Sequence, residues 1–141
     1  MSGERHPMAA CPTGWYAVAL SKDVKPGQRI HRELAGRDVV VFRTESGRAR
    51  VTEAHCPHLG AHLGIHGQVC GEELRCSFHG FRFDGEGACV ASGYGTKGPP
   101  LARLSMVRVR ERNGGSWSGT TRGARSRRGR CPLWTGRDGA R

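Results

Sequence analysis

The sequence predicts an all-β protein built on antiparallel sheets. Three observations carry this. The apolar segments are short, about 5–6 residues each, and rich in β-branched side chains. Gly- and Pro-bearing turns bound them, in a chain of 141 residues that holds 22 Gly. No stretch repeats its apolar residues at helical spacing.

Taken in order, residues 1–14 are polar and contain Pro, which reads as a flexible arm. Trp15-Tyr16-Ala17-Val18-Ala19-Leu20 is a first strand. Pro26-Gly27 marks a turn, and residues 29–33 alternate in character. Leu34-Ala35-Gly36-Arg37 is a tight turn. Asp38-Val39-Val40-Val41-Phe42-Arg43 is the clearest strand of the chain. Glu45-Ser46-Gly47-Arg48 turns it, and residues 49–53 return, giving a β-meander. Further on, residues 67–75 read as two short strands about Gly71-Glu72. Residues 81–84 alternate, 85–87 turn, and 88–90 return. Residues 92–100 form a Gly- and Pro-rich loop, and 105–112 are expected to be a last strand rejoining the first sheet.

At Asn113-Gly114 the composition changes. Residues 114–141 hold 7 Gly and 7 Arg in 28 positions, with almost no aliphatic side chains. Such a segment lacks the apolar surface needed to offset its ordering entropy, so a disordered Arg/Gly-rich tail is expected. The formal net charge of +11 suggests nucleic acid at first sight. Its distribution argues otherwise. Residues 1–113 carry 16 Lys/Arg against 11 Asp/Glu, while 114–141 carry 7 Arg against one Asp. More than half of the excess therefore lies in the tail, and no aromatic stacking set or recognition helix accompanies it. A basic nucleic-acid-binding module is accordingly the weakest functional reading, and no nucleic-acid partner is expected. There is no apolar run long enough to span a membrane and no signal-peptide pattern, so a cytoplasmic location is expected. Cys11, Cys70, Cys89 and Cys131 show no framework spacing and read as free thiols.

The chemistry lies between Cys56 and His79. Cys56-Pro57-His58 is followed, after seventeen residues, by Cys76-Ser77-Phe78-His79. Each clamp offers one thiolate and one imidazole, and Gly60 and Gly80 stand just beyond them. Two loops side by side, as at two hairpin ends, would present four donors to two irons. That is the donor set of a Rieske-type [2Fe–2S] cluster, in which two Cys hold one iron and two His the other. Imidazole is neutral where thiolate is anionic, so this exchange raises the reduction potential. Zinc is the rival metal. It accepts two Cys and two His, but its usual spacings pair Cys with Cys and His with His. His55, His62 and His66 have no matching second clamp and read as surface loop histidines.

These residues resemble a known family. Cys56-Pro57-His58-Leu59-Gly60-Ala61 and Cys76-Ser77-Phe78-His79-Gly80-Phe81-Arg82-Phe83-Asp84 are similar to the Rieske domain of ring-hydroxylating oxygenase alpha subunits. The likeness is to steroid-active members such as ketosteroid 9-alpha-hydroxylase and the cholesterol 7-desaturases. It extends to Gly14-Trp15-Tyr16 and to the stretch from Tyr94 through Leu101 to Arg103. The resemblance implies a Rieske fold over residues 15–113: sandwich-like antiparallel base sheets with a small cluster-binding subdomain, about 54–92, inserted as two loops. It implies Cys56, His58, Cys76 and His79 as ligands of one cluster. It implies a ferredoxin or flavin reductase as electron donor, and an oxygenase catalytic domain or subunit as acceptor. The places of the respiratory-type loop disulfide are held by Ala61 and Phe78, which favours the oxygenase or ferredoxin type.

Family oxygenases continue into a domain holding mononuclear iron through two His and a carboxylate. No His occurs after His79 in this sequence. The chain is thus expected to transfer electrons without activating oxygen itself, as the electron-entry domain of a truncated oxygenase; a stand-alone Rieske-type ferredoxin is the alternative. The resemblance would continue past residue 114 with a strand such as Leu-Val-Val-Trp. One permitted reverse translation of residues 115–121, read two bases later, encodes that run. A frameshift near residue 114 is therefore expected, with the tail as its out-of-frame product; sequencing of the locus that finds no downstream catalytic-domain frame would sink this.

Overall fold

The computed structural model describes residues 14–99, 101–112 and 114–120, with backbone only for 116–120. Its elements in chain order are β1 (Gly14–Leu20), a 3-10 turn (Ser21–Asp23), β2 (Arg29–Leu34), β3 (Arg37–Arg43), β4 (Ala49–Glu53), α1 (Leu63–His66), β5 (Gly67–Cys70), β6 (Glu73–Cys76), β7 (Arg82–Phe83), β8 (Cys89–Ala91), β9 (Met106–Val107), β10 (Val109–Arg112) and β11 (Gly115–Thr120). They form three antiparallel sheets in the orders β1-β11-β10, β2-β3-β4-β9 and β5-β6-β7-β8. The first two are the base, and the third belongs to the inserted subdomain. The all-β expectation is borne out, with α1 the single α-helical turn among the described residues.

Strand β3 is the spine. Val39, Val40, Val41 and Phe42 are all buried. Successive side chains of a strand point to opposite faces, so an unbroken apolar run marks burial on both. Val39 and Val41 join Val18, Val24, Leu34 and Val51 in one core. Val40 and Phe42 join Ala54, Cys56, Leu63, Leu74, Cys76, Phe81, Phe83 and Leu104 in another. The second core fastens the inserted subdomain to the base. At the end of β3, Arg43 is buried yet satisfied. It donates to the Val24, Gly47 and Ser21 carbonyls and pairs with Glu111 of β10. That pairing ties the two base sheets together and compensates a charge that would be costly to bury alone.

Two expectations need correction. The single strand over 105–112 is two: Val107 pairs with Val51 in one sheet, whereas Val109 to Arg112 pair with β11 in the other. Consecutive apolar Met106 and Val107 break the alternation where the chain changes sheets. The other concerns residue 113, where the ordered chain was expected to end. Instead β11 lies between β1 and β10 as the middle strand, Trp15 pairing with Gly119 and Glu111 with Ser116. Backbone hydrogen bonds to two neighbours hold this Gly- and Ser-rich run, which a composition argument overlooks. The expectations for residues 1–13 and 121–141 lie outside the described residues.

Candidate metal centre

The two clamps fold into near-copies of one loop. In loop 56–61 the Cys56 N–H donates to the Ala61 carbonyl (2.9 Å) and the Gly60 N–H to the Cys56 carbonyl (2.8 Å). In loop 76–81 the Cys76 N–H donates to the Phe81 carbonyl (2.8 Å) and the Gly80 N–H to the Cys76 carbonyl (3.0 Å). The second set is the first moved twenty residues along the chain. Gly60 and Gly80 both have positive φ, +80° and +69°, a region that side chains other than Gly rarely adopt. Each loop caps a hairpin-like base. Below the first, His55 and His62 face each other across an isolated bridge, and the Leu63 N–H donates to the Ala54 carbonyl (2.7 Å). Below the second, β6 and β7 pair through Leu74–Phe83 and Arg75–Arg82.

The four predicted site residues come together in two layers. Cys56 and Cys76 are 3% and 1% exposed, on the inner side, within the second core. Both are free thiols. Burial pushes the Cys56 thiol up to about 11; the His58 backbone amide pulls it down, and the adjoining Cys76 adds to the rise. Such a thiol keeps its proton near neutrality unless a metal takes its place. On the outer side, the His58 and His79 rings stand edge to face, 4.9 Å between centroids. His58 is exposed and His79 half-buried. The imidazole of His58 lies over Phe81 at 4.3 Å, which holds its ring in place.

The donor set fits an iron–sulfur cluster on an observation of its own. His79 Nδ1 is buried and has no hydrogen-bond partner. Buried polar atoms are nearly always paired, so an orphan calls for an explanation, and a metal bond supplies one. Two buried thiols beside two outward imidazoles, one with an orphaned nitrogen, match the two-and-two division of the Rieske type.

Sequence reasoning missed two features. Gly93 presses against the second loop: its N–H donates to the His79 carbonyl (2.9 Å), and a Cβ on Gly93 would lie 2.0 Å from that oxygen. Only the run of Gly in residues 92–100 hinted at a close approach. The other is a cluster of His31, Asp38 and His62, distant in sequence and adjacent in space. Of the surface histidines, His62 is half-buried, and burial first, then His31 and His55, hold its imidazole below the usual range. No helix among the described residues is long and apolar enough to cross a membrane.

Comparison with known proteins places these loops in context. A family model described as the Rieske [2Fe-2S] domain matches residues 14–101. A cholesterol 7-desaturase of Ciona intestinalis is 41% identical over 102 residues, which are 72% of this chain and 22% of that protein. The oxygenase component of a 3-ketosteroid-9-alpha-monooxygenase of Rhodococcus rhodochrous is 36% identical over 101 residues, 72% of this chain and 26% of that one. The chain thus spans about a quarter of the length of these curated relatives. Among solved structures, apo dicamba monooxygenase superposes with a TM-score of 0.63 at 28% identity, covering 74% of this chain and 32% of that one. The terminal oxygenase of carbazole 1,9a-dioxygenase from Novosphingobium sp. KA1 superposes at 0.66 with 23% identity, covering 74% and 29%, a likeness of fold.

Proposed function

From the premise that this chain belongs to the Rieske [2Fe-2S] domain family, we propose that it is an electron-entry domain, with Cys56, His58, Cys76 and His79 as the cluster ligands. A Rieske-type cluster supplies reversible one-electron transfer. The chain's own residues do the rest. The thiols of Cys56 and Cys76 anchor the inner side within the apolar core, and desolvation there favours a neutral, metal-bound state over free thiolates. His58 and His79 form the outward edge, where a partner can approach. The observation that carries the reading is this layering: buried thiols, an orphaned His79 Nδ1, and two imidazoles set edge to face on the outer side.

The electron would come from a ferredoxin or flavin reductase and leave through the histidine edge to a mononuclear iron in an oxygenase catalytic domain. One solved relative is the reduced complex of carbazole 1,9a-dioxygenase oxygenase with its ferredoxin, which supports a donor of that kind. The named relatives act on cholesterol and 3-ketosteroids, so the oxygenase served would be of the sterol- and steroid-acting kind.

The test is EPR and redox titration of purified protein. Wild type should show the low average g of a Rieske cluster after reduction. His79→Cys should lower the potential toward the all-thiolate value of about −400 mV, or lose the cluster. Zinc without iron or sulfide in the wild type, or an unchanged spectrum and potential in the variant, would refute the assignment.

A further inference from the structure

Beside the base of loop 56–61, three side chains from three elements converge. His31 comes from β2, Asp38 from β3, and His62 is the residue capping α1. One potential ligand atom from each lies within 4.8 Å of the other two. We propose that His31, Asp38 and His62 form a second metal site, independent of the cluster, for a divalent cation of borderline softness such as zinc.

The backbone builds this convergence. In the β2–β3 ladder, His31 pairs with Val40 and Glu33 with Asp38. His31 and Asp38 are therefore diagonal neighbours on one face, within reach of long side chains. The Ala54 N–H donates to the Asp38 carbonyl (3.0 Å), and the Leu63 N–H to the Ala54 carbonyl (2.7 Å). That chain of bonds fixes the start of α1 against β3. Arg29 adds a strap, donating from Nε to the Leu63 carbonyl (3.1 Å) and from Nη2 to the Ile65 carbonyl (2.9 Å). Three elements are thus held in one place before any ligand arrives, which is what a metal site requires.

The donor chemistry fits. Two imidazoles and a carboxylate are a common zinc set, with water completing the tetrahedron. With bonds of about 2.1 Å, ligand atoms in a tetrahedral zinc site stand about 3.4 Å apart. His31 Nε2 and Asp38 Oδ1 are 3.2 Å apart already. The His31 and His62 rings meet edge to face at 4.8 Å between centroids, so a small rotation of exposed His31 closes the remaining gap. Two interactions oppose binding. The His31 Nε2–Asp38 Oδ1 contact is itself a hydrogen bond that both atoms would exchange for the metal. His62 Nδ1 accepts from the Gly64 N–H (3.1 Å). Ligation either through Nδ1 or through Nε2 with the proton moved to Nδ1 gives up this bond, a single contact on a four-residue turn. Metal bonds to prepositioned side chains outweigh both.

Bound there, the cation would clasp α1 to the base sheet and stiffen the support of loop 56–61 without touching the cluster. Full-length chain with its cluster in place and no affinity tag should be titrated with zinc chloride by calorimetry, with iron and sulfide assayed before and after. The expected result is one zinc per chain with iron and sulfide retained. Asp38→Asn and His31→Gln, both at exposed positions, should each weaken binding by more than about tenfold and leave the cluster spectrum unchanged. No zinc uptake, uptake matched by iron release, or unaltered binding in both variants would overturn the proposal.

Discussion

Loops 56–61 and 76–81 close with the same two hydrogen bonds and the same positive-φ glycine, yet their surroundings differ. A Cβ on Gly60 would meet nothing within 4 Å. A Cβ on Gly80 would lie 2.7 Å from the Gly93 Cα. The first loop is open to solvent on its outer side and backed by polar histidines. The second is clamped by the turn that carries Gly93, and its histidine carries the orphaned nitrogen. One backbone motif thus serves as an exposed arm and as a packed wall. The local sequence sets the loop shape, and distant residues set how firmly each loop is held.

The largest effect should ignore this difference. Cys56 and Cys76 occupy equivalent places in the two loops and are equally buried. Cys56→Ser and Cys76→Ser should therefore each abolish the cluster, read as loss of iron, sulfide and visible absorption. Retention of a full cluster in one of them would show that the loops do not share the anchoring role.

Next come the substitutions that test the packed wall. Gly93→Ala would drive a Cβ into the His79 carbonyl, an atom of the backbone that cannot swing aside. It should cost about 3 kcal/mol, the upper part of the overpacking range, and shift His79. Gly80→Ala adds backbone strain at φ +69° to its contact with Gly93, and about 2 kcal/mol is expected. Thermal unfolding followed by circular dichroism reads both. A cost below about 1 kcal/mol for Gly93→Ala would mean that the second loop is free to shift and that the wall is illusory.

Much of this centre was legible in the sequence, for a physical reason. Cluster ligation needs Cys and His at short fixed spacing, so the site is written locally at Cys56-x-His58 and Cys76-x-x-His79. The strand over 38–43 was legible because burial on both faces leaves an unbroken apolar run. The rest depends on contacts between distant segments. Gly93 acts on a loop that ends twelve residues before it, and its side-chain-free surface leaves no pattern to read. The cluster of His31, Asp38 and His62 comes from a diagonal pairing plus a helix cap, and no spacing announces it. Strand β11 escaped because its Gly- and Ser-rich composition argues for disorder, while its pairing with β1 and β10 is a backbone matter.

The smallest effect sharpens the comparison most. Gly60→Ala places a side chain in open space, so only the conformational term remains. Holding a non-Gly residue at φ +80° costs about 1–2 kcal/mol. Replacing Gly also reduces the freedom of the unfolded chain, which returns about 0.4–1 kcal/mol. The net destabilisation should be about 1 kcal/mol, a fall in Tm of about 5 °C for a domain near this size. The cluster should load normally, because the new methyl group meets no atom within 4 Å beyond its own chain neighbours. Equal losses for Gly60→Ala and Gly80→Ala would mean that backbone strain alone governs both loops, and that the packing of Gly93 behind the second contributes nothing.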